Sequence, residues 1–289
     1  MGFADFIKTL KRDSERSMKD NSSHWVKCDG CSALMYQKEV ANQLHVCPKC
    51  NFHFKISLDE RIKLLCDEES FVEFDTDLIP VDPLKFVDKE SYVQKIKRYK
   101  ERTKRESAVV SGFARINKAP VELIIFDFQF MGGSLGSVEG EKIVRAINRA
   151  ISKRHALLII SASGGARMQE SVFSLMQMAK TSAALQKLSN AHLPFISLLT
   201  NPTFGGVSAS FAFLGDLIIS EPGAMIGFAG ARVIKQTIGA DLPDGFQTAE
   251  FLLNHGLIDM VVNRKDLKKT ISDLINLLGN HENKSILYS

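Results

Sequence analysis

Three glycine pairs place the strongest constraint on how this chain can fold. Each pair follows an apolar strand-like run and precedes a helix-like run. They are Gly132-Gly133, Gly164-Gly165 and Gly205-Gly206. Glycine allows a ligand to approach the backbone closely, and the first N–H groups of a helix attract negative charge. A single pair would be read as a tight turn. Three pairs at equivalent positions favour anion cradles built from backbone N–H groups.

The residues around these pairs predict an α/β fold. Strands and helices alternate after residue 107, and near-continuous apolar strands such as Ala156–Ile160 are typical of a sheet covered on both faces. The predicted strands are 108–116, 121–128, 156–161, 194–200, 217–220 and 224–228. The predicted helices are 137–153, 169–188 and one that follows Gly206 and includes 211–214.

None of the pairs belongs to a nucleotide-binding motif. The chain lacks the G-x-x-x-x-G-K-[ST] pattern, and the run Gly132–Gly136 does not give G-x-G-x-x-G. Paired backbone N–H groups also stabilise a developing oxyanion, such as the enolate of a thioester. The glycine pairs therefore favour oxyanion chemistry over phosphate-loop chemistry.

Four cysteines predict a metal centre near the N-terminus. Cys28 and Cys31 form one C-x-x-C pair, and Cys47 and Cys50 form a second one after 15 intervening residues. This spacing is typical of a zinc ribbon, and an iron–sulfur centre is the alternative. A closed four-thiolate site is structural, because catalytic zinc keeps an open position. His24, His45 and His53 are possible surplus ligands, and Cys66 is interpreted as a core residue.

The charge is nearly balanced overall but concentrated locally. The chain has 37 Lys and Arg against 33 Asp and Glu, whereas Lys85–Glu106 alone has nine against four. The segment is interpreted as a solvated helix face or as a surface for nucleic acid or a phosphate-bearing ligand. A nucleic-acid-binding zinc-ribbon protein is thus the rival hypothesis. No run reaches the roughly 20 apolar residues of a membrane span, so we expect a cytoplasmic protein with no membrane partner.

Four longer runs carry a family resemblance. Together with the N-terminal ribbon, they resemble the carboxyltransferase β subunits of bacterial acetyl-coenzyme A carboxylases over about residues 3–280. The runs are MGGSLGSVEGEKIVRA, SASGGARMQE, LTNPTFGGVSASFAFLGDLIISEPGAMIGFAGARVI and LPDGFQTAEFLLNHGLIDMVV.

The resemblance implies a crotonase-like spiral of ββα units that transfers the carboxyl group of carboxybiotin to acetyl-CoA. The product is malonyl-CoA, in the first committed step of fatty acid synthesis. The implied organisation is an N-terminal helix over 1–24, a zinc ribbon over 25–56, a helical linker over 57–106 and a carboxyltransferase domain over 107–289.

The resemblance also implies partners and cofactors. The chain would pair with a homologous carboxyltransferase α subunit as α2β2, because the stretch after Glu106 holds only one crotonase-like unit. Biotin would be attached to a separate biotin carboxyl carrier protein and charged by a biotin carboxylase. The zinc would be structural, and the ribbon would offer secondary nucleic-acid binding.

Site residues follow from the same resemblance. Gly205 and Gly206 resemble the pair of N–H donors that holds the thioester enolate, while the biotin-facing pair would lie on the α subunit. Arg167 would contact a phosphate of the substrate or form a structural ion pair. The implied acyl-CoA pocket wall consists of Gly132, Gly133, Ser163, Gly164, Gly165, Ala166 and Arg167. The implied border of the biotin path consists of Phe228, Ala229, Gly230 and Arg232.

Overall fold

Two units, divided after Lys55, make up the computed structural model, which describes residues 24–239 and 242–279. The N-terminal helix predicted over residues 1–24 lies, except for its last residue, outside the described residues. Within those residues, no helix combines the length and apolarity needed to cross a membrane.

The smaller unit is a short hairpin followed by one helical turn and a half. Strands β1 (Trp25–Lys27) and β2 (Leu34–Tyr36) pair antiparallel, and helix α1 (Gln37–Asn42) follows directly. Its buried cluster contains only Cys28, Met35, Val40 and Cys47. A core this small does not stabilise a fold without a metal or a covalent link.

The larger unit is built on one eight-stranded sheet. The strands are β3 (Val72–Phe74), β4 (Val109–Ile116), β5 (Ala119–Phe126), β6 (Ala156–Ser163), β7 (Phe195–Phe204), β8 (Leu217–Ser220), β9 (Ile226–Gly227) and β10 (Met260–Val261). Their order in the sheet is β10-β8-β7-β6-β5-β4-β3, and β9 pairs with β7. The edge strand β3 and strands β4 and β5 pair antiparallel, whereas all pairings from β5 onward are parallel.

The larger unit also contains α-helices and short 3₁₀ turns between its strands. Three short 3₁₀ turns, at Met131–Gly133, Met168–Glu170 and Phe211–Phe213, lie in the connections after β5, β6 and β7. The α-helices are α2 (Leu58–Leu65), α3 (Tyr92–Thr103), α4 (Ser137–Lys153), α5 (Val172–Asn190), α6 (Gly205–Ser208), α7 (Ala231–Ile238), α8 (Ala249–Asn254) and α9 (Arg264–Gly279).

Apolar side chains are buried on both faces of the sheet. Along β6, Leu157 and Ile159 belong to a cluster with α4 and α5, while Leu158 and Ile160 belong to a second cluster with α2 and α9. Successive strand residues point to opposite faces, so a run without polar residues requires cover on both sides. This arrangement confirms the α/β fold predicted from the apolar run.

Several element bounds differ from those predicted. For example, β5 begins at Ala119 rather than at residue 121, and β7 extends to Phe204 rather than ending at residue 200. Helix α5 begins at Val172 rather than at residue 169, because Ser171 has a non-helical backbone with φ of 47°. Helix α6 ends at Ser208, so residues 211–213 form a separate 3₁₀ turn. The edge strand β3 was missed within the predicted helical segment 57–106. It has only three residues and no fully buried side chain, and therefore no periodic signal.

Candidate active site and metal centre

The four predicted cysteine ligands come together in the smaller unit. Their sulfur atoms all lie within 4.8 Å of one another. The Cys28 and Cys50 sulfurs are 3.6 Å apart, and those of Cys31 and Cys47 are 3.8 Å apart. Four thiolates in one cluster are the ligand set that tetrahedral zinc prefers. The donor chemistry therefore fits a structural zinc ion.

The thiols have unequal acidities. Burial opposes ionisation of Cys47, but the N–H groups of Cys50 and Lys49 outweigh it and lower the pKa of Cys47 to about 7. For Cys50, the N–H of Phe52 favours the thiolate, yet burial and the neighbouring sulfurs raise the pKa to about 12. Several thiolates so close together repel one another, so full deprotonation requires a cation among them.

The three glycine pairs lie at one edge of the larger sheet. They follow β5, β6 and β7, which are parallel neighbours, and they therefore sit at the carboxyl ends of these strands. We call the connections 130–135, 164–167 and 204–206 the first, second and third glycine corners. Ligand sites of open α/β sheets are commonly found at this edge.

Backbone hydrogen bonds join the first corner to the second. The N–H of Gly164 donates to the carbonyl of Gly132 at 2.8 Å, and the N–H of Leu135 donates to the carbonyl of Gly165 at 2.8 Å. Gly132 and Gly133 have φ values of 66° and 62°, which favour glycine. A Cβ atom on Gly133 would also collide with the carbonyl oxygen of Ala162.

The second and third corners touch through their backbones. A Cβ atom on Gly165 would lie 3.1 Å from the Cα of Gly205 and 3.3 Å from the nitrogen of Gly206. Both Gly165, with φ of 120°, and Gly205, with φ of 60°, have backbone conformations that favour glycine. The side chain of Ser163 is buried, and its hydroxyl oxygen accepts the N–H of Gly165 at 3.0 Å. Glycine is therefore required here for close backbone packing.

The N–H groups of the third corner are not equivalent. The N–H of Gly205 donates to the carbonyl of Phe228 at 2.8 Å, because β9 pairs with the end of β7. Among the residues that the structure describes, none accepts the N–H of Gly206. The expectation of two donors at Gly205 and Gly206 is thus corrected to one available donor, Gly206. Gly205 still contributes to the corner by lacking a Cβ atom, which allows its close contact with Gly165.

Arg167 was predicted in the wall of the acyl-CoA pocket, but its side chain is buried inside the larger unit. Its side chain is 0% exposed, and its guanidinium donates to Glu139 at 2.6 Å and lies 3.3 Å from Glu170. It also donates to the carbonyl and the hydroxyl oxygen of Ser134 and to the hydroxyl of Tyr92. Of the two predicted roles of Arg167, the structural ion pair is the arrangement that the structure shows.

The same group of buried charges contains residues that sequence reasoning missed. Burial opposes ionisation of Glu170, but the Arg167 charge and hydrogen bonds from Ser137 and Tyr92 hold the pKa of Glu170 below its usual range. Glu139 accepts the N–H of Gly136 at 3.0 Å in the manner of a helix cap. The sequence did contain a signal for this helix cap. Glu139 lies three positions after Gly136, at the start of a predicted helix.

The predicted border of the biotin path lies next to the third corner. Phe228 is exposed, and its carbonyl holds the N–H of Gly205. The carbonyl of Ala229 accepts the side chain of Gln247 at 2.8 Å, and Gly230 is the residue that precedes α7. The side chain of Arg232 lies outside the part of the chain that the structure describes.

Family models match both units. The family described as "Carboxyl transferase domain" matches residues 57–249, and the family described as "Acetyl-CoA carboxylase zinc finger domain" matches residues 25–50. The first match spans more than half of the chain and contains all three glycine corners. The second match contains the four cysteines of the metal cluster.

Curated relatives agree over most or all of the length of this chain. The chain is 64% identical over 289 residues to an acetyl-coenzyme A carboxylase carboxyl transferase subunit beta from Wolinella succinogenes, covering 100% of both. It is 54% identical over 254 residues to the corresponding protein of Citrifermentans bemidjiense, covering 88% of this chain and 90% of that one.

A solved structure shares its fold with most of this chain. Transcarboxylase 12S, in a crystal structure with methylmalonyl-coenzyme A and methylmalonic acid bound, superposes with a TM-score of 0.65 and 29% identity. The match covers 77% of this chain but only 41% of that chain.

Proposed function

The chain belongs to the carboxyl transferase family, as a β subunit of acetyl-CoA carboxylase carboxyltransferase, and on that premise we propose how its residues act. The enzyme transfers a carboxyl group to acetyl-CoA and forms malonyl-CoA, the first committed step of fatty acid synthesis. The donor is carboxybiotin, bound covalently to a separate carrier protein.

The reaction exchanges a proton for a carboxyl group at one carbon. The methyl carbon of acetyl-CoA loses a proton and forms a C–C bond to the carboxyl carbon. The bond between that carbon and N1 of carboxybiotin breaks, and N1 receives the proton. Negative charge therefore develops on the thioester oxygen, where a fixed N–H donor lowers the barrier.

The observation that carries this proposal is the free N–H of Gly206. It lies where the second and third corners meet, whereas the neighbouring N–H of Gly205 is held by Phe228. We assign the Gly206 N–H to the thioester enolate oxygen. One such donor contributes about 3 kcal/mol to transition-state stabilisation.

The corners lack an obvious side-chain base, and the proposed chemistry does not require one. The titratable side chains closest in sequence, Arg167 and Glu170, are buried and paired with each other. The first and second corners, including Gly132, Gly133, Gly164, Gly165 and Ala166, then form the acyl-CoA pocket wall through their backbones. Ser163 and Arg167 support this wall from inside.

The partners are part of the proposal. A homologous α subunit supplies the biotin-facing oxyanion donors in an α2β2 assembly, and Phe228 to Arg232 border the path of biotin. A biotin carboxyl carrier protein presents the cofactor after a biotin carboxylase has charged it. We place the assembly in the cytoplasm, with a structural zinc ion bound by Cys28, Cys31, Cys47 and Cys50.

Malonyl-CoA formation tests this function directly. The full chain and a carboxyltransferase α subunit are purified separately, mixed in equal amounts and supplied with carboxybiotin and acetyl-CoA. We expect turnover from the mixture and almost none from either chain alone. Full turnover by this chain alone would contradict the proposal, and so would an inactive but correctly assembled mixture.

Secondary binding of nucleic acid is favoured by one observation on the smaller unit. Trp25 is 57% exposed, and Tyr36 lies beside it in an edge contact, with His24 stacked on Tyr36. Exposed rings stack on bases of single strands. Trp25→Ala in the full chain should weaken salt-sensitive binding of single-stranded RNA, and unchanged binding would exclude this surface.

A further inference from the structure

Lys142 is the one buried lysine in the part of the chain that the structure describes. It lies among the buried residues of α4, and its side chain and backbone together are only 2% exposed. Its Nζ atom donates to the carbonyl of Val109 at 3.0 Å. An ammonium group has three N–H donors, so two of them need further acceptors. A buried charge without such partners is costly.

No carboxylate among the described residues forms an ion pair with Lys142. Acidic side chains near it favour its charge, but burial outweighs them and lowers the pKa of Lys142. Three of these acidic residues have arginine partners instead. The pairs are Glu73 with Arg105, Asp75 with Arg145 and Arg149, and Glu139 with Arg167. The counter-charge that Lys142 lacks therefore has to come from outside this set.

A cavity of about 190 Å³ lies next to the Lys142 side chain. Its wall is built from β3, the segment 104–107 after α3, the start of β4 at Val109 and Val110, and Lys142 of α4. A single water molecule needs only about 10–15 Å³ of such space. The cavity therefore has room for a small polyatomic ligand. We call it the Lys142 cavity.

The charges in the wall of the Lys142 cavity leave two cations without an ionic partner among the described residues. Both carboxylates of the wall already have cationic partners. The pairs are Glu73 with Arg105 and Glu106 with Lys100. Lys104 and Lys142 have no such partner. Lys104 is exposed and belongs to the basic segment Lys85–Glu106, so the unpaired charge of the wall is positive.

We propose that the Lys142 cavity binds a small oxyanion whose oxygen atoms accept hydrogen bonds from the ammonium groups of Lys142 and Lys104. Phosphate and short carboxylates share this chemistry, because both present charged oxygens to cationic donors. The hydroxyl of Thr76 borders the same space. None of the glycine corners contributes to the wall, so the proposal does not depend on the enolate assignment of Gly206.

Occupancy of the cavity should also stabilise the larger unit. Lys142 belongs to α4 and Lys104 follows α3, so an anion bound to both joins two separate parts of the chain. A ligand that binds only the folded protein raises the free energy of unfolding. Phosphate also stabilises folded proteins without a specific site. Binding therefore has to be compared between wild type and variants of the two lysines.

Isothermal titration calorimetry of the full chain tests this site. Inorganic phosphate and acetate are titrated separately at constant ionic strength, set with chloride. Lys142→Met removes the buried charge and keeps an unbranched side chain. Lys153→Met is the matched control, because Lys153 is an exposed lysine of the same helix and lies outside the cavity wall. Circular dichroism and zinc content of each variant check its folding.

We expect one phosphate or one acetate to bind saturably per wild-type chain, and the anion with the lower Kd identifies the ligand class. Lys142→Met should raise that Kd at least tenfold, whereas Lys153→Met should change it less than twofold. Absence of saturable binding of both anions would overturn the proposal. Equal affinity in wild type and folded Lys142→Met would also overturn it, because the anion would then bind elsewhere.

Lys104→Gln is a second variant that leaves the buried face of α4 intact. It should raise the same Kd at least threefold, because one of the two ammonium groups is lost. If Lys142→Met does not fold, this variant decides the outcome. Wild-type affinity in Lys104→Gln would then contradict the proposed pair of cations.

Discussion

Gly165 and Gly205 pack back to back, so that neither position has room for a side chain. A Cβ atom on Gly205 would lie 2.9 Å from the Cα of Gly165, and one on Gly165 would lie 3.1 Å from the Cα of Gly205. This contact brings the end of β6 against the end of β7 and places the nitrogen of Gly206 beside Gly165. The close approach of two strands therefore sets the position of the proposed oxyanion donor.

Gly205→Ala should destabilise the larger unit measurably. The left-handed backbone costs an alanine about 1–2 kcal/mol, and the contact with Gly165 adds an overpacking cost of about 1–3 kcal/mol. Gly223→Ala is the matched control, because Gly223 has φ of 67° but nothing within 4 Å of its Cβ position. Urea denaturation should show a larger loss for Gly205→Ala. Equal losses would show that the packing against Gly165 has no energetic effect.

The four cysteines should bind one zinc ion per chain. Cys31→Ser should abolish stoichiometric zinc and make residues 24–55 susceptible to proteolysis, because metal binding supplies the folding energy of so small a core. Cys66→Ser should retain the zinc, since Cys66 is buried in the larger unit. Metal analysis by mass spectrometry checks both variants. Wild-type zinc content in Cys31→Ser would refute the assignment of the ligands.

Loss of the Arg167 charge should affect stability before it affects substrate binding. Arg167→Met leaves Glu139 and Glu170 buried without their cation, which costs about 3–5 kcal/mol. Arg98→Met is a control, because Arg98 forms an exposed pair with Glu90 and should change stability very little. Urea denaturation measures both. A stable Arg167→Met chain with only a raised KM for acetyl-CoA would instead support a phosphate contact.

A second buried charge cluster should make stability depend on acid pH. Glu221 pairs with Arg61 and, at 2.7 Å, with Arg264. Burial opposes its ionisation, but the two guanidinium groups hold its pKa well below the usual range. The folded-state pKa lies below the unfolded one, so this stabilisation is present above the ordinary value of 4.5. It is lost as the pH falls through the folded-state pKa.

Glu221→Gln should therefore lower the free energy of unfolding at pH 7 by about 3–5 kcal/mol, because two buried guanidinium groups lose their counter-charge. The variant should also lose less stability than wild type between pH 6 and pH 3. Urea denaturation across this range measures both effects. Identical pH dependence in the two chains would show that Glu221 is not the group responsible.

Local patterns allowed much of the site to be predicted from the sequence. The cysteine spacing identified the metal cluster, because the ligands of each knuckle are three residues apart. The glycine pairs identified the three corners, because each corner follows an apolar strand. Helix α4 was predicted at its observed bounds, Ser137–Lys153, since its apolar residues recur with helical spacing.

Contacts between distant residues could not be predicted in this way. The N–H of Gly205 is occupied by Phe228 only because the two-residue strand β9 returns to the end of β7. The burial of Arg167 depends on Tyr92 from α3 and Glu139 from α4. These residues come together only in the folded chain. Their spacing in the sequence does not indicate that they are in contact.

The turnover of Gly206→Val in the assembled enzyme tests the central claim most directly. Gly206 lacks the left-handed backbone of Gly205, so a side chain is tolerated by its backbone angles. Its Cβ atom would lie 3.1 Å from the Met178 sulfur, at the end of a flexible side chain, and 3.2 Å from the Cβ of Ala166. Assembly, zinc content and circular dichroism are measured beside the rate. Valine keeps the backbone N–H, but we expect its side chain to obstruct the approach of the thioester to that donor. We predict that malonyl-CoA formation falls by two orders of magnitude or more, an effect as large as the loss of one oxyanion donor. Wild-type turnover by a correctly assembled variant would contradict the assignment of Gly206 to the enolate.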